Sequence, residues 1–180
     1  MQGIPLNERK RLGALLDDRP QTEVMAMIPQ FSQAETDNFV APPAQIPEAL
    51  GVLMFNMERG VNLPEIQEFL RDCPDIQPFD VILANELDDG CARSGNKNTA
   101  RELAQAFGLN YAWGLEFIEL VNDENAKGFH GNAVFSRWPI RRAGVIRLPE
   151  QYNWYFDRQK RIGGRLAVFA ELDVGGQPVG

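Results

Sequence analysis

The chain is poor in the residues that build disulfide frameworks and zinc sites: two cysteines, Cys73 and Cys91, and one histidine, His130, in 180 residues. Two cysteines cannot make a disulfide scaffold, and no Cys-x-x-Cys spacing points to zinc, so the pair reads as ordinary thiols. No apolar run approaches the roughly 18 to 20 residues of a membrane span. The opening Met1-Gln2-Gly3-Ile4-Pro5 lacks the basic start and apolar stretch of a secretory signal, and the expected location is the cytoplasm. A glycine-rich dinucleotide fingerprint, a P-loop and a nucleophile-elbow serine motif are all missing, which leaves the α/β enzymes built on them without support. Positive charge is also scarce. A net charge of −7 argues against broad, sequence-blind affinity for nucleic acid, which depends on neutralising phosphates.

That average hides an asymmetry. Between Arg137 and Arg165 stand eight basic residues (Arg137, Arg141, Arg142, Arg147, Arg158, Lys160, Arg161, Arg165) against two acids, Glu150 and Asp157. Local positive charge of this kind suits a phosphate-bearing substrate; the alternative is a solvated β-hairpin with scattered arginines.

What is present is an ordinary globular composition, 44% apolar and 24% charged, in a chain long enough for a real core. Residues 1–50 read as an N-terminal arm. Leu12, Leu15 and Leu16 give a short amphipathic helix after Asn7, and a second covers Glu23 to Ile28. Ser32, Thr36, Asp37, Asn38, Pro42, Pro43 and Pro47 then form a polar, proline-broken connector.

From Gly51 to Gly180 strands and helices alternate. Gly51 to Met57 is a short apolar run expected to be a strand buried on both faces, and Asp80 to Asn85 is a second. Pro64 suits the first turn of a helix lined by Ile66, Phe69 and Leu70. Thr99 and Glu102 read as a capping box for a helix carrying Leu103, Ala106 and Phe107, with Gly108 placed to end it. Tyr111 to Leu120, Asn132 to Phe135, Arg142 to Leu148 and Arg165 to Val174 read as further strands. Gly175-Gly176 is a hairpin signal, and the expectation is that its return strand lies beyond Gly180, in a fragment of a longer domain.

Two polar residues end the first two buried strands: Asn56 follows Val52 to Phe55, and Glu86 follows Val81 to Asn85. Side chains at the carboxyl ends of neighbouring strands converge on one crevice. A carboxylate there is costly unless it is paired, hydrogen-bonded or holding a cation. Carboxylate and amide oxygens suit Mg²⁺; the bland alternative is a solvated or salt-bridged strand-end glutamate.

Five ordered segments carry a resemblance. Met54-Phe55-Asn56-Met57-Glu58-Arg59-Gly60 is similar to the first-strand Trp-Asn…Arg-Gly motif of the endonuclease/exonuclease/phosphatase superfamily, whose fold is that of deoxyribonuclease I. Asn85-Glu86-Leu87-Asp88 resembles the second motif, whose glutamate binds the metal. Ala92 to Ala100 with Glu102 and Gly108 to Tyr111 resembles the following loop and helix; Gly131 to Ile140 and Gly164 to Ala167 resemble two later strands.

The resemblance, running from about Val52 to Asp173, implies a four-layer α/β/β/α sandwich, two mixed β-sheets packed face to face with helices outside, about half of it present. It implies hydrolysis of phosphate esters with one Mg²⁺ or Mn²⁺. Glu86 would be the metal ligand and Asn56 would sit beside the metal as a second catalytic residue. Arg93, Asn132 and Arg165 would be substrate-binding, and Glu58 is a nearby acid better suited to the surface. The substrate class stays open among nucleic acid, lipid and small phosphoesters; no protein partner is expected.

The departures are as informative. The family's His-Leu, Gly-Asp-x-Asn and Asp-His motifs do not occur, and His130 stands in the wrong motif, where it reads as a loop residue rather than a general base. The expectation is an N-terminal half, inactive by itself. Its rival is a non-catalytic binding or structural remnant of the same fold.

Overall fold

The computed structural model describes residues 1–150, 153–157 and 159–180; Arg158 of the basic stretch lies outside them. The arm begins with helix α1 (Leu6–Ala14), a 3₁₀ turn (Leu15–Asp17), helix α2 (Gln21–Ala26) and a second 3₁₀ turn (Pro29–Ser32). Within the stretch read as a connector, Ala34–Asp37 forms strand β1. Strands β2 (Val52–Arg59) and β3 (Val81–Asp89) flank helix α3 (Leu63–Asp72). Helix α4 (Thr99–Phe107) leads into β4 (Asn110–Glu119), β5 (Phe129–Ser136) and β6 (Ile140–Arg147). The short α5 (Trp154–Asp157), β7 (Arg161–Gly163), β8 (Leu166–Val174) and β9 (Gln177–Val179) complete the chain.

The strands make two sheets. The larger runs β1-β4-β5-β3-β2, with β7 on β4 beyond β1; the smaller runs β6-β8-β9. Among the described residues only β2 and β3 pair in parallel, joined by α3 as a crossover requires. One apolar layer sits between the helices and the larger sheet. It unites Leu63 and Leu70 of α3 and Ala100, Leu103 and Ala104 of α4 with Met57, Ile82, Tyr111, Trp113, Phe129 and Phe135 of the strands. The second layer lies between the sheets, where Val81, Ala112 and Val134 meet Trp138, Ile140, Leu172 and Val174. The architecture is therefore mixed α/β, two packed sheets with helices outside the larger one.

Several local expectations need correction. β2 is not buried on both faces: Val52 and Met54 are exposed, Met54 to 73%. The small sheet lies over β4 and β5 and leaves this edge of the large one uncovered. Helix α4 is capped by Asn98, whose side chain accepts from the Arg101 N–H at 2.8 Å. Thr99 instead donates its hydroxyl to the Asp88 carbonyl at 2.7 Å, tying the helix to β3. Gly108 does end α4, with φ 58°. The Gly175-Gly176 turn has its return strand within the chain, since β9 pairs with β8 from Leu172 to Val174.

The arm is part of the packed body. Leu12, Leu16, Val24, Ile28 and Phe31 belong to the main core, and β1 pairs with β4 from Ala34↔Gly114 to Asp37↔Tyr111. The buried Arg9 donates to the carbonyls of Asn125 and Lys127, fastening α1 to the loop before β5. Among the described residues no helix is long and apolar enough to cross a membrane.

Candidate active site

Strand register determines which side chains meet. Asn56 pairs with Asn85 across β2 and β3, and Glu86 is the next residue. The β3–β5 ladder is regular to Ala84↔Ala133 and resumes at Leu87↔Gly131, so Asn85 and Glu86 together oppose Asn132. This is a β-bulge, which adds one residue to a strand and re-aims its side chains. Asn132 fastens it: its Oδ1 accepts the Glu86 N–H at 3.1 Å. Asn56, Glu86 and Asn132 thus stand level on three adjacent strands; Asn56 and Glu86 do not end their strands as the apolar runs predict, since β2 continues to Arg59 and β3 to Asp89, still paired with Gly131, His130 and Phe129 of β5.

The backbone here is strained. Glu58, Arg59 and Glu86 have φ of 46°, 66° and 59°, a left-handed conformation that costs a non-glycine residue about 1 to 2 kcal/mol. β2 bulges here too, between Asn56 and Arg59. Asn56 Oδ1 accepts the Glu58 N–H at 2.9 Å, which holds the turn of the chain, and Glu58 itself is exposed. Such conformations persist where surrounding structure enforces them, and they concentrate at functional sites. Beside the bulges, Asn85 and Asn132 line a cleft of about 240 Å³ between the sheets, otherwise walled mainly by Met54, Leu83, Val134, Leu166 and Val168.

Arg93 and Arg165 are anchored to buried carboxylates. Arg93 follows β3 in a short turn, and its Nε and Nη2 donate to Asp88 Oδ2 and Oδ1 at 2.7 and 2.9 Å, with Glu119 at 3.3 Å. Burial opposes the charge of Arg93, but Asp88 and then Glu119 outweigh it and raise its pKa. Burial likewise pushes Asp88 towards the neutral acid, yet hydrogen bonds from Arg93 and His130 hold its pKa below the usual carboxylate range. Arg165, just before β8, donates to Glu116 Oε1 at 2.9 Å. The guanidinium-bearing side chains of Arg93 and Arg165 remain 32% and 52% exposed, so both stay open to a ligand.

His130 is not a loop residue. It lies inside β5, buried, with Nδ1 2.9 Å from Asp88 Oδ1. Two residues from Asn132 on one strand, it shares that residue's face. Glu116, Phe117 and Glu119 of β4 come alongside, where β4 bulges between Leu115 and Phe117. Arg161 lies over the Phe117 ring at 3.7 Å and against Glu119 at 3.7 Å. Asp88, Glu116, Glu119, His130 and Arg161 were not singled out from sequence as a group. The available signal was two acids, Glu116 and Glu119, inside an otherwise apolar strand.

The basic stretch does not present one charged face. Arg137 pairs with Asp80, Arg141 with Asp173 and Arg142 with Glu171. Arg147 is turned inward onto the carbonyls of Phe31, Leu115 and Gly164. Cys91 is buried with its thiol pKa pushed up, first by burial and then by Asp88, in keeping with an inert thiol.

The donors these residues offer are oxygens, the Glu86 carboxylate and the Asn56 and Asn132 amide oxygens, the last two already accepting the Glu58 and Glu86 N–H groups. Hard divalent ions such as Mg²⁺ take one or two protein carboxylates and keep several waters, which this set fits, whereas zinc prefers three or four nitrogen and sulfur ligands. Among the described residues no three His, Cys, Asp or Glu side chains gather into a group that would hold a metal.

No protein-family model matches the sequence, and no curated protein matches it. Among solved structures, the chain is similar to an endonuclease/exonuclease/phosphatase from Beutenbergia cavernae DSM 12333, with a TM-score of 0.49 and 21% identity over 71% of this chain and 35% of that one. It is also similar to an endonuclease/exonuclease/phosphatase family protein from Leptotrichia buccalis C-1013-b, with a TM-score of 0.48 and 20% identity over 72% and 52% of the two chains. The chain thus spans about a third to a half of the length of these proteins.

Proposed function

We propose that the chain carries part of the active site of a divalent-metal-dependent phosphoesterase of the endonuclease/exonuclease/phosphatase kind. One observation carries the reading: Glu86 is held in a left-handed bulge of β3 by Asn132, with Asn56 on the neighbouring strand. Strain kept at a carboxylate in the carboxyl-terminal half of two parallel strands suits a ligand-holding position. The ordered motifs from Met54 to Ala167 point the same way.

In this reading Glu86, with Asn56 beside it, holds Mg²⁺ or Mn²⁺, and the ion when bound supplies Lewis-acid stabilisation of the phosphoryl and leaving oxygens. Asn132 keeps Glu86 aimed. Arg93 and Arg165 offer planar donors to phosphate oxygens, each held in place by its buried acid. The substrate is a phosphoester, whether nucleic acid, lipid or small molecule. The groups that would activate the attacking water are not assigned to this chain, and the proposal includes that residues 1–180 alone do not hydrolyse.

The test uses the complete gene product and a phosphodiester such as bis-p-nitrophenyl phosphate with Mg²⁺. Glu86→Gln should lower kcat/KM at least 100-fold across metal concentrations. Undiminished hydrolysis would remove Glu86 from the site. A complete product with no phosphoesterase activity on nucleic acid, lipid or small phosphoesters would favour a non-catalytic relative of the fold.

A further inference from the structure

The arm and the chain around β7 do not close fully on each other. Gln21, at the start of α2, clamps them: its Nε2 donates to the Arg161 carbonyl at 3.2 Å and its Oε1 accepts the Gly163 N–H at 3.0 Å. Beyond this clamp the chain turns at Pro29 into the 3₁₀ segment that carries Phe31 into the core, while β6 ends at Arg147 and leads on to Leu148. Between them lies a pocket of about 450 Å³, the size of a small-molecule site. Met25, Ile28, Phe31 and Leu148 give it apolar walls. Gly164 leaves part of the lining bare, since a Cβ there would meet no atom within 4 Å.

Two guanidinium groups line the same pocket. Arg147 is half-buried, and it is met by the carbonyls of Phe31, Leu115 and Gly164 and by the Phe31 ring, none of which carries a full negative charge. Among the described residues no carboxylate lies within ion-pair distance of it. Burial pushes its pKa down to about 10 against the pull of Glu116, so its positive charge is poorly compensated. Four of the five N–H groups of its fork are taken, which leaves one on Nη1. Arg165 donates to Glu116 from Nη1, and its Nε and Nη2 have no hydrogen-bond partner among the described residues. The acid in the lining, Glu150, is exposed, where water screens its charge, and it pairs with neither arginine.

An apolar cavity alone would take any hydrocarbon. A half-buried cation without a counter-ion selects among guests, because an anion beside it restores the interaction that burial removed. A neutral guest would leave the Arg147 charge as it is, and a cationic one would add to it. We propose that this pocket binds an amphiphilic anion, its aliphatic chain against Met25, Ile28, Phe31 and Leu148 and its head against Arg147 and Arg165. The head is a carboxylate or a phosphate monoester, both of which match a guanidinium fork. Arg165 is shared with the proposed phosphoester site, but Arg147 and the apolar walls are not, so the pocket does not rest on that reading.

The test is an amide chemical-shift titration of the intact chain with octanoate, octyl phosphate, 1-octanol and acetate. At least one of the two amphiphilic anions should bind, moving the signals of Met25, Phe31, Leu148 and Gly164, with octanol and acetate at least tenfold weaker. Ala26→Phe, which places a ring in the pocket from an exposed position on α2, should weaken that binding at least tenfold. A tighter octyl phosphate would identify a phosphate headgroup and a tighter octanoate a carboxylate; both uphold the proposal. Binding of neither anion, octanol as tight as the anions, or unchanged affinity in folded Ala26→Phe would each overturn it. If that variant does not fold, the comparison with octanol decides. Glu86→Gln should bind the anion as the parent does, so failure of the phosphoesterase reading would leave the result unmoved.

Discussion

Asn132 accepts the backbone N–H of Glu86 at 3.1 Å across the gap where β3 slips by one residue against β5. One side-chain amide therefore holds in place a glutamate whose backbone would otherwise leave the left-handed region. Glu86→Gly should relieve this conformation and stabilise the fold by about 1 kcal/mol, since glycine adopts φ near 59° without the Cβ clash. Urea unfolding of the two proteins measures the difference. A glycine variant less stable than the parent by a similar amount would mean that the glutamate side chain, not the backbone, dominates at this position.

Asp88 is a well-satisfied buried acid, bonded to Arg93, Ser94 and His130. Removing one partner of a buried pair strands the other, at a cost of about 3 to 5 kcal/mol. Asp88→Ala should lose that much in urea unfolding, or fail to fold. The pH dependence has a definite sign. Burial would raise the Asp88 pKa, but Arg93 and His130 lower it below its unfolded value. Its contribution is thus complete above about pH 4, the ordinary carboxylate range, and is lost as pH falls through the lowered folded value. Asp88→Asn should flatten this acid limb of the stability curve.

The contribution of the arm is tested at Phe31. Its ring is buried in the main core and lies under Arg147, with the guanidinium carbon 4.8 Å from the ring centroid. Truncating a buried aromatic costs about 3 to 5 kcal/mol, so Phe31→Ala should lower the unfolding midpoint sharply. An unchanged midpoint would make the arm an accessory layer rather than part of the core.

The parts legible in the sequence are those where local pattern and tertiary environment agree. Gly108 ends α4 because the chain needs φ 58° there, and on β3 Ile82 and Ala84 are buried under the helices as their apolar run predicts, whereas Leu83, on the face the small sheet does not reach, is exposed. The parts that were not legible depend on partners far along the chain. β1 is a polar tetrapeptide that becomes a strand only because β4 offers it an edge. Asn98 rather than Thr99 caps α4 because Asp88, eleven residues upstream, takes the threonine hydroxyl. His130 looked like a loop residue because its place follows from the β3–β5 register, and Asp88↔His130 is a pairing that no local window contains. Asn56 and Glu86 were legible as a pair since each ends its own apolar run. The bulges that aim them were not, being set by the slip of one strand against the next.

The most direct test is a Mn²⁺ titration of the chain followed by paramagnetic broadening of its backbone amide signals. If Glu86 at the β3 bulge holds the ion, broadening should begin at Glu86, Asn56 and Asn132 and should disappear in Glu86→Gln. Broadening centred elsewhere, or unchanged in that variant, would contradict the assignment of this bulge as the metal position.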